Sequence, residues 1–269
     1  MLKSMILDFM KDKNLKYSII IKDLKSDKIC SINDREVVPS ASIIKLFIMA
    51  KTFQLVKNGE LNLNDRISIN EKERVPYSII YLLDDKNTYT IRDLITLMII
   101  QSDNTATNQL IQMIGIEKIN EFIGELGFKD TILKRKMMDL DSRKLGIDNY
   151  TTARDVANLL ELMNKGQLVN VNYSDIMLDI MKMQLDNSMM RVNLDEKIII
   201  AHKTGNLTNI NHDVGIVYTK RKNYIFIMLT FDATGDNYAR DIIGKVSRIS
   251  YEYLISGSAQ NEDNNRNYL

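Results

Sequence analysis

The chain reads as strands at both ends with helices between, and that order restricts it to a few architectures. Near the start, Tyr17 to Ile21 is β-branched and aromatic, and Ile29 to Ile32 follows across Lys25-Ser26-Asp27. Two such runs joined by a polar turn predict a hairpin. Near the end, Ile198 to Ala201, Val214 to Tyr218 and Tyr224 to Leu229 read as three consecutive antiparallel strands. The middle has helical spacing. Thr90-Ile91-Arg92-Asp93 has the capping-box form and opens a run to about Gln101. Asn104 opens the next, with Ala106, Leu110, Ile111 and Ile114 on one face, and Glu117 to Leu126 stops at Gly127. Thr152 caps a helix to about Asn164, and another spans Asp175 to Met183. Leu2 to Met10 is amphipathic, and Gly235 to about Ile255 closes the chain. Between Arg135 and Tyr150 the periodicity lapses, which predicts an ordered loop.

The expected fold class is α+β. Residues 1–38 and 194–257 would share an antiparallel sheet of five strands flanked by helices. Residues 39–193 would form an all-helical lobe, with residues 258–269 a polar, disordered tail. A site is expected at the seam between the lobes.

Composition excludes several classes. The chain has 269 residues and a formal net charge of +1, so no strong field draws it to nucleic acid or an anionic membrane. The run Lys220-Arg221-Lys222 sits between two strand-like segments and reads as a solvated hairpin tip. Cys30 stands alone, so an internal disulfide is impossible, and with His202 and His212 it cannot build a zinc-type site. No metal or other cofactor is expected. No apolar run is long enough to span a membrane. The N-terminal run Ser4-Met5-Ile6-Leu7 is too short for a signal-peptide core, which points to the cytoplasm, or to export if the chain is a processed form.

Chemistry enters with three short strings. Ser42-Ile43-Ile44-Lys45, Ser102-Asp103-Asn104 and Lys203-Thr204-Gly205 occur in that order. A serine with a lysine three residues later on a helical turn places a hydroxyl beside an amine, a nucleophile beside a base. Alone the pattern is weak, since about one match arises by chance in a chain of this length. Context strengthens it. The lysine falls within the apolar run Leu46-Phe47-Ile48-Met49-Ala50, where an unpaired ammonium costs several kcal/mol. A lysine that snorkels to the surface is the plain alternative. Ser102-Asp103-Asn104 is by itself only a helix cap, and Lys203-Thr204-Gly205 only a strand end.

Taken together, the strings resemble the signature of the class A β-lactamase and penicillin-binding family of active-site-serine hydrolases. Their separations, 60 residues from Ser42 to Ser102 and 101 from Ser102 to Lys203, are close to those of class A enzymes. The resemblance runs from the first helix to about Ile255 and implies the family's fold. It implies that Ser42 is acylated and that Lys45 takes its proton. Ser102 would relay a proton to the leaving nitrogen, and Asn104 would bond the substrate amide. Lys203 and Thr204 would bind a substrate carboxylate. The backbone N–H groups of Ser42 and Asn206 would form the oxyanion hole. Tyr77 resembles the family's aromatic residue at the cleft mouth, and reads equally as an ordinary half-buried tyrosine.

The resemblance breaks in one loop. Class A enzymes carry a glutamate there that activates the water for deacylation. Aligning Arg135 and Thr151-Thr152 with the family leaves Met137 at that position, and Asn149 where an aspartate pairs with the loop arginine. Asn108, which bonds the glutamate in the family, is retained. Either Asp139 or Asp141 supplies the missing carboxylate, or no general base faces the acyl-enzyme and deacylation is slow. The family's strand arginine is also missing, replaced by Asn211-His212-Asp213. The expected function is a β-lactamase-like serine hydrolase acting on β-lactams or acyl-D-Ala-like amides. An esterase or peptidase of the same fold, and a non-catalytic ligand-binding or sensor module, are the alternatives. The expected partner is a small-molecule substrate, the expected state a monomer.

Overall fold

A computed structural model describes residues 1–84 and 86–256. The tail expected over residues 258–269 therefore lies outside the described residues.

Helix α1 (Leu2–Met10) buries Leu2, Ile6 and Met10, four residues apart on one face. Strands β1 (Lys16–Asp23) and β2 (Ile29–Ile32) form the predicted hairpin, with Ile19 opposite Ile32. The short strand β3 (Val38–Pro39) leads to a 3₁₀ turn over Ala41–Ile44, which runs directly into α2 (Lys45–Lys57). Three short elements follow: β4 (Arg66–Ser68), α3 (Ile79–Leu82) and β5 (Thr88–Thr90). The helical middle comprises α4 (Ile91–Ile100), α5 (Asn104–Ile114) and α6 (Ile116–Glu125). The capping box at Thr90 closes as predicted: Thr90 Oγ1 accepts from Asp93 N at 3.0 Å, and Asp93 Oδ2 accepts from Thr90 N at 2.8 Å.

Beyond them lie α7 (Leu140–Lys144), β6 (Tyr150–Thr151), α8 (Ala153–Asn164) and α9 (Val171–Lys182). Strands β7 (Ile199–Leu207), β8 (Ile210–Tyr218) and β9 (Tyr224–Phe231) precede the closing helix α10 (Asp236–Ser256). Three details differ from the sequence reading, each for a local reason. The segment read as a loop holds α7, because Asp139 caps it. Helix α9 starts at Val171 rather than Asp175, because Asn170 Oδ1 accepts from Tyr173 N at 2.8 Å. Strands β7 and β8 run longer than expected, since Leu207 pairs with Ile210 and only Thr208-Asn209 remains as the turn. Asn209, the second turn residue, takes φ +60°, a conformation asparagine tolerates. Lys203-Thr204-Gly205 therefore lies inside a strand.

The sheet order is β2-β1-β9-β8-β7, with every neighbouring pair antiparallel. Side chains alternate between two cores. Ile19, Ile21, Phe226 and Met228 pack with Ile6, Met10, Ile242 and Val246 from α1 and α10. Ile20, Val214, Ile216 and Ile227 face the other way, packing with Phe47, Leu159, Leu160 and Met181. The fold is α+β, a helix pair and a helical block on opposite faces of one sheet. Strand β3 pairs with β6, Val38 opposite Thr151, tying the 3₁₀ turn to the end of the loop that begins at Arg135. Among the described residues no helix is long and apolar enough to cross a membrane, and no cluster of three His, Cys, Asp or Glu is placed to hold a metal.

Candidate active site

The nucleophile candidate sits in the 3₁₀ turn. Ser42 is half-buried there, and Ala41 before it holds φ +45°. Ser40 fixes the turn from behind: its N–H donates to Asn149 O at 2.7 Å, and its carbonyl accepts from Ile43 N at 2.9 Å. Lys45 opens α2 and is fully buried, as are Leu46, Phe47 and Ile48 around it. It does not snorkel. Lys45 Nζ donates to Ser102 O at 2.6 Å, Asn104 Oδ1 at 2.9 Å and Ser102 Oγ at 3.1 Å. Burial pushes the Lys45 ammonium well below its ordinary range, the neighbouring Lys203 charge pushes the same way, and Asp103 opposes both. In the amine form Lys45 keeps two of these three donor bonds and gains one lone pair that can accept a proton.

Ser102 bridges the two lysines. Its Oγ lies 3.1 Å from Lys45 Nζ and 2.9 Å from Lys203 Nζ. It holds φ +55°, a region a serine enters only when its surroundings impose it. Asp103 is the part of the surroundings that does so. As cap of α5 it accepts from Ala106 N at 2.8 Å. It also accepts from Ser78 Oγ at 2.8 Å, Ile79 N at 2.6 Å and Ile80 N at 3.1 Å. One buried carboxylate thus locks the start of α5 to α3. Asn104 follows it, donating from Nδ2 to Pro76 O at 3.2 Å.

Strand β7 closes the other side. Lys203 is fully buried and also donates to Thr204 O at 2.8 Å. Burial lowers its ammonium to about 7, against the opposing pull of Asp186 and Asp213. At Gly205 a Cβ would come within 3.2 Å of both Ser42 N and Ala41 Cβ, so glycine permits the strand to reach the nucleophile's turn. Asn206 comes next. Its Oδ1 accepts from Asn211 Nδ2 at 3.0 Å and from Arg240 Nη2 at 3.1 Å. Arg240, reaching over from α10, places a cation beside the strand that lacks an arginine of its own. His212 is buried with both ring nitrogens engaged: Nε2 with Pro39 O at 2.9 Å, and Nδ1 with Thr230 N at 3.2 Å. His202 pairs with buried Asp213 at 2.9 Å.

The loop before β6 differs from the sequence reading. The carboxylate that pairs with Arg135 is Asp148, not a residue at position 149. Asp148 Oδ1 meets Arg135 Nη2 at 2.6 Å and Nε at 2.9 Å, and Asp148 Oδ2 meets Arg143 Nε at 3.4 Å. Asn149 instead accepts from the backbone N–H of Lys134 at 2.7 Å and of Arg135 at 3.0 Å. Asn108 clamps the backbone of Met137 with both ends of its amide: Oδ1 accepts from Met137 N at 2.7 Å, and Nδ2 donates to Met137 O at 3.0 Å. The Met137 backbone is thus fixed, and the largely buried residue lines the cleft. Neither candidate aspartate joins it. Asp139 caps α7, accepting from Ser142 N at 3.0 Å and Ser142 Oγ at 2.7 Å. Those bonds hold its carboxyl below the usual range. Asp141 is 93% exposed and pairs with Lys144 at 3.1 Å. Asp139 is engaged by its own helix start and Asp141 by Lys144, and neither lines the cleft.

The cleft encloses about 770 Å³ and is lined by Ser42, Tyr77, Ser102, Asn104, Met137 and Asn206, among others. Ala41, Tyr77, Ser102 and Met138 all hold positive φ and all line it. Such strain costs about 1–3 kcal/mol at each residue and gathers where geometry serves chemistry. Of the sequence candidates, Lys45, Ser102, Asn104 and Lys203 form one bonded network. Ser42, Tyr77 and Asn206 open onto the same cleft, while Thr204 is buried beneath it. Asp103, Asp148 and Arg240 were not among the candidates. The cap pattern at Asp103 is a visible signal for the first. Nothing local marks the other two.

Sites built this way transfer acyl groups through a serine ester, and they define a class of serine hydrolases. Comparison with known proteins narrows the class: a profile described as the Beta-lactamase enzyme family matches residues 1–254, and the chain belongs to that family. Beta-lactamase BRO-1 of Moraxella catarrhalis is 25% identical over 247 residues, covering 84% of this chain and 76% of that protein. A beta-lactamase of Bacteroides uniformis is 25% identical over 241 residues, covering 82% of this chain and 81% of its own. Among solved structures, a beta-lactamase from Sphaerobacter thermophilus superposes with a TM-score of 0.86 at 25% identity, covering 93% of this chain and 95% of that one. PBP-A superposes at 0.87 and 26% identity, covering 95% and 96%. The chain is a β-lactamase-like serine hydrolase.

Proposed function

We propose that this hydrolase forms an acyl-enzyme on Ser42 with β-lactams and acyl-D-Ala-like amides, and releases the acyl group slowly. The observation that carries the reading is Ser102 Oγ held between Lys45 Nζ and Lys203 Nζ in the cleft that Ser42 lines, with Met137 lining the same cleft. Ser42 Oγ attacks the amide carbonyl while neutral Lys45 takes its proton. The N–H groups of Ser42 and Asn206 hold the oxyanion. The C–N bond then breaks. Its nitrogen takes a proton from Ser102 Oγ, and Ser102 recovers one from the Lys45 ammonium. The products are a serine ester and an amine, which departs from an acyl-D-Ala-like amide and stays tethered to the ester in an opened β-lactam, with every proton accounted for. Lys203 and Thr204 hold the carboxylate on the nitrogen side of the substrate, and Arg240, bonded to Asn206, adds a cation at that end of the strand.

Hydrolysis of the ester needs a base for water. A thioether cannot accept a proton, and the two nearby aspartates are bonded elsewhere. Loss of general-base assistance slows such a step by about 10²- to 10⁴-fold. Acyl-enzymes are known in the solved neighbours: a leucine-to-glutamate variant of PBP-A forms an acyl-enzyme complex with penicillin G. Intact-mass spectrometry after incubation with penicillin G tests the reading. A single covalent adduct on the Ser42 peptide, absent from Ser42→Ala, is expected. No adduct together with no hydrolysis would overturn it.

A further inference from the structure

The side chain of Asn206 belongs to a closed ring of hydrogen bonds. Arg240 Nη2 donates to Asn206 Oδ1 at 3.1 Å, and Arg240 Nη1 donates to Ser188 Oγ at 3.1 Å. Ser188 Oγ donates to Asp186 Oδ1 at 2.6 Å. Asn206 Nδ2 closes the ring on Asp186 Oδ2 through its longest link, 3.5 Å. Two further bonds tie the ring to the sheet. Asn211, fully buried and paired with Asn206 across β7 and β8, donates from Nδ2 to Asn206 Oδ1 at 3.0 Å. Met190 N donates to buried Asp213 Oδ2 at 2.9 Å, which fixes the segment carrying Asp186 and Ser188. Asn206 lines the cleft with Ser42, whereas Arg240, Ser188 and Asp186 do not. The planar fork of an arginine suits two oxygens at once, and here it spans oxygens from two segments of the protein.

We propose that Arg240 and Ser188 are positioning residues: through the ring they fix Asn206, and so aim its backbone N–H at the oxyanion. The inference rests on the Ser42 acyl-enzyme reading. An oxyanion donor is most effective when it is held in place before the charge develops. Asn206 is exposed and lies near the end of β7, where a strand frays unless other bonds hold it. Its amide is bonded at both ends, and that holds the peptide it belongs to. A cation that only met the substrate carboxylate would serve carboxylate-bearing substrates alone. A ring that holds an oxyanion donor serves every substrate that acylates Ser42.

Acylation constants for two substrates test this: penicillin G, which carries a carboxylate, followed by intact mass, and p-nitrophenyl acetate, which carries none. With the ester, Ser42 Oγ bonds to the acyl carbon, p-nitrophenolate leaves, and the burst reports the constant. Arg240→Ala should lower both constants by a similar factor, roughly tenfold, because a small misplacement of a catalytic group is enough. Ser188→Ala changes no charge and should lower both as well. The double variant should be no slower than the slower single variant, because the same ring is opened in each. Ser188→Thr, which keeps the hydroxyl, should recover most of the loss. A lower thermal midpoint with both constants unchanged would assign the ring to the scaffold and overturn the inference. A loss confined to penicillin G in Arg240→Ala, with Ser188→Ala like the parent, would show Arg240 binding the carboxylate directly. That result would also overturn the inference and leave the acyl-enzyme reading standing. Absence of a Ser42 adduct with either substrate in the parent protein would overturn both.

Discussion

Ser102 Oγ lies between two lysine nitrogens, and both lysines are shut away from bulk water. Burial lowers both ammonium groups, and the Lys203 charge lowers Lys45 further. Lys203 holds its proton below a pH of about 7 and loses it above. If Lys203 binds the substrate carboxylate as a cation, acylation by penicillins should weaken as pH rises through 7. An uncharged ester, with no carboxylate to hold, should lack that alkaline limb. Burst constants for both substrates from pH 5.5 to 9, a range set by that titration of about 7, make the comparison. An identical limb for both would contradict the assignment. Asp186→Asn should move the limb to lower pH, because Asp186 is one of the two carboxylates that hold the Lys203 proton on. Gly205 makes a separate prediction. A methyl there meets Ser42 N at 3.2 Å and would displace an oxyanion donor. Gly205→Ala should lower kcat/KM for acylation by about 10²-fold while the thermal midpoint stays near that of the parent.

On the proposed mechanism, the loop from residue 131 to 151 is the element on which turnover depends. Its shape is set by Asp148, which pairs with Arg135 and Arg143, and by Asn149 and Asn108, which hold backbone. Asp148→Ala leaves the buried Arg135 guanidinium without its carboxylate. That should cost about 3–5 kcal/mol in urea unfolding. A loss below 1 kcal/mol, the scale of a surface ion pair, would show that the pair does not organise the loop. Met137→Glu tests the chemistry of the same element. Asn108 fixes the Met137 backbone, so a glutamate side chain would start from the same position and point into the cleft. Release of the penicilloyl group should speed up by about 10²-fold or more. Unchanged release would mean that a glutamate there cannot position water. This is also where reading the sequence reached its limit. Thr90, Asp103 and Thr152 announce their helices through local caps, and α1 announces itself through its spacing. The loop has no periodicity, so the partner of Arg135 is legible only to within one residue. Asp139 and Asp141 look equivalent as letters. Whether either faces Ser42 depends on the cap that forms at Asp139, which is a property of the folded turn. Arg240 is 34 residues from Asn206 in the chain, and only the packing of α10 on the sheet brings the two together.

At the scale of the whole molecule, the order of strands and helices already implied one sheet fed from both ends, because the β1–β2 hairpin cannot bury its two faces alone. The structure fills both: α1 and α10 on one side, the helical block on the other. Burying two lysines in this core has a consequence for stability. An unfolded lysine keeps its proton to about 10.5, whereas folded Lys203 loses it near 7, so the unfolded chain binds more protons between those values. Stability should therefore rise with pH across that window, Lys45 acting in the same sense. Above pH 10 the trend should reverse, because burial raises Tyr218 to about 12 and Tyr224 further, and both must then ionise to unfold. Urea midpoints at pH 7 and 9.5, either side of the Lys203 titration, should show the rise, and Lys203→Met should flatten it. A fall over that interval in the parent protein would contradict the account of the buried amines. On the proposed mechanism the same burial prepares the acylation half of the reaction, and Met137 stands where the second half would need a base. The most direct test of that division is the lifetime of the Ser42 acyl-enzyme. The protein is acylated with penicillin G, freed of excess drug, and followed by intact mass. Complete and rapid acylation followed by loss of the adduct over minutes to hours is the predicted result. An adduct that never accumulates because turnover is fast would contradict it, and would place a working base in the cleft.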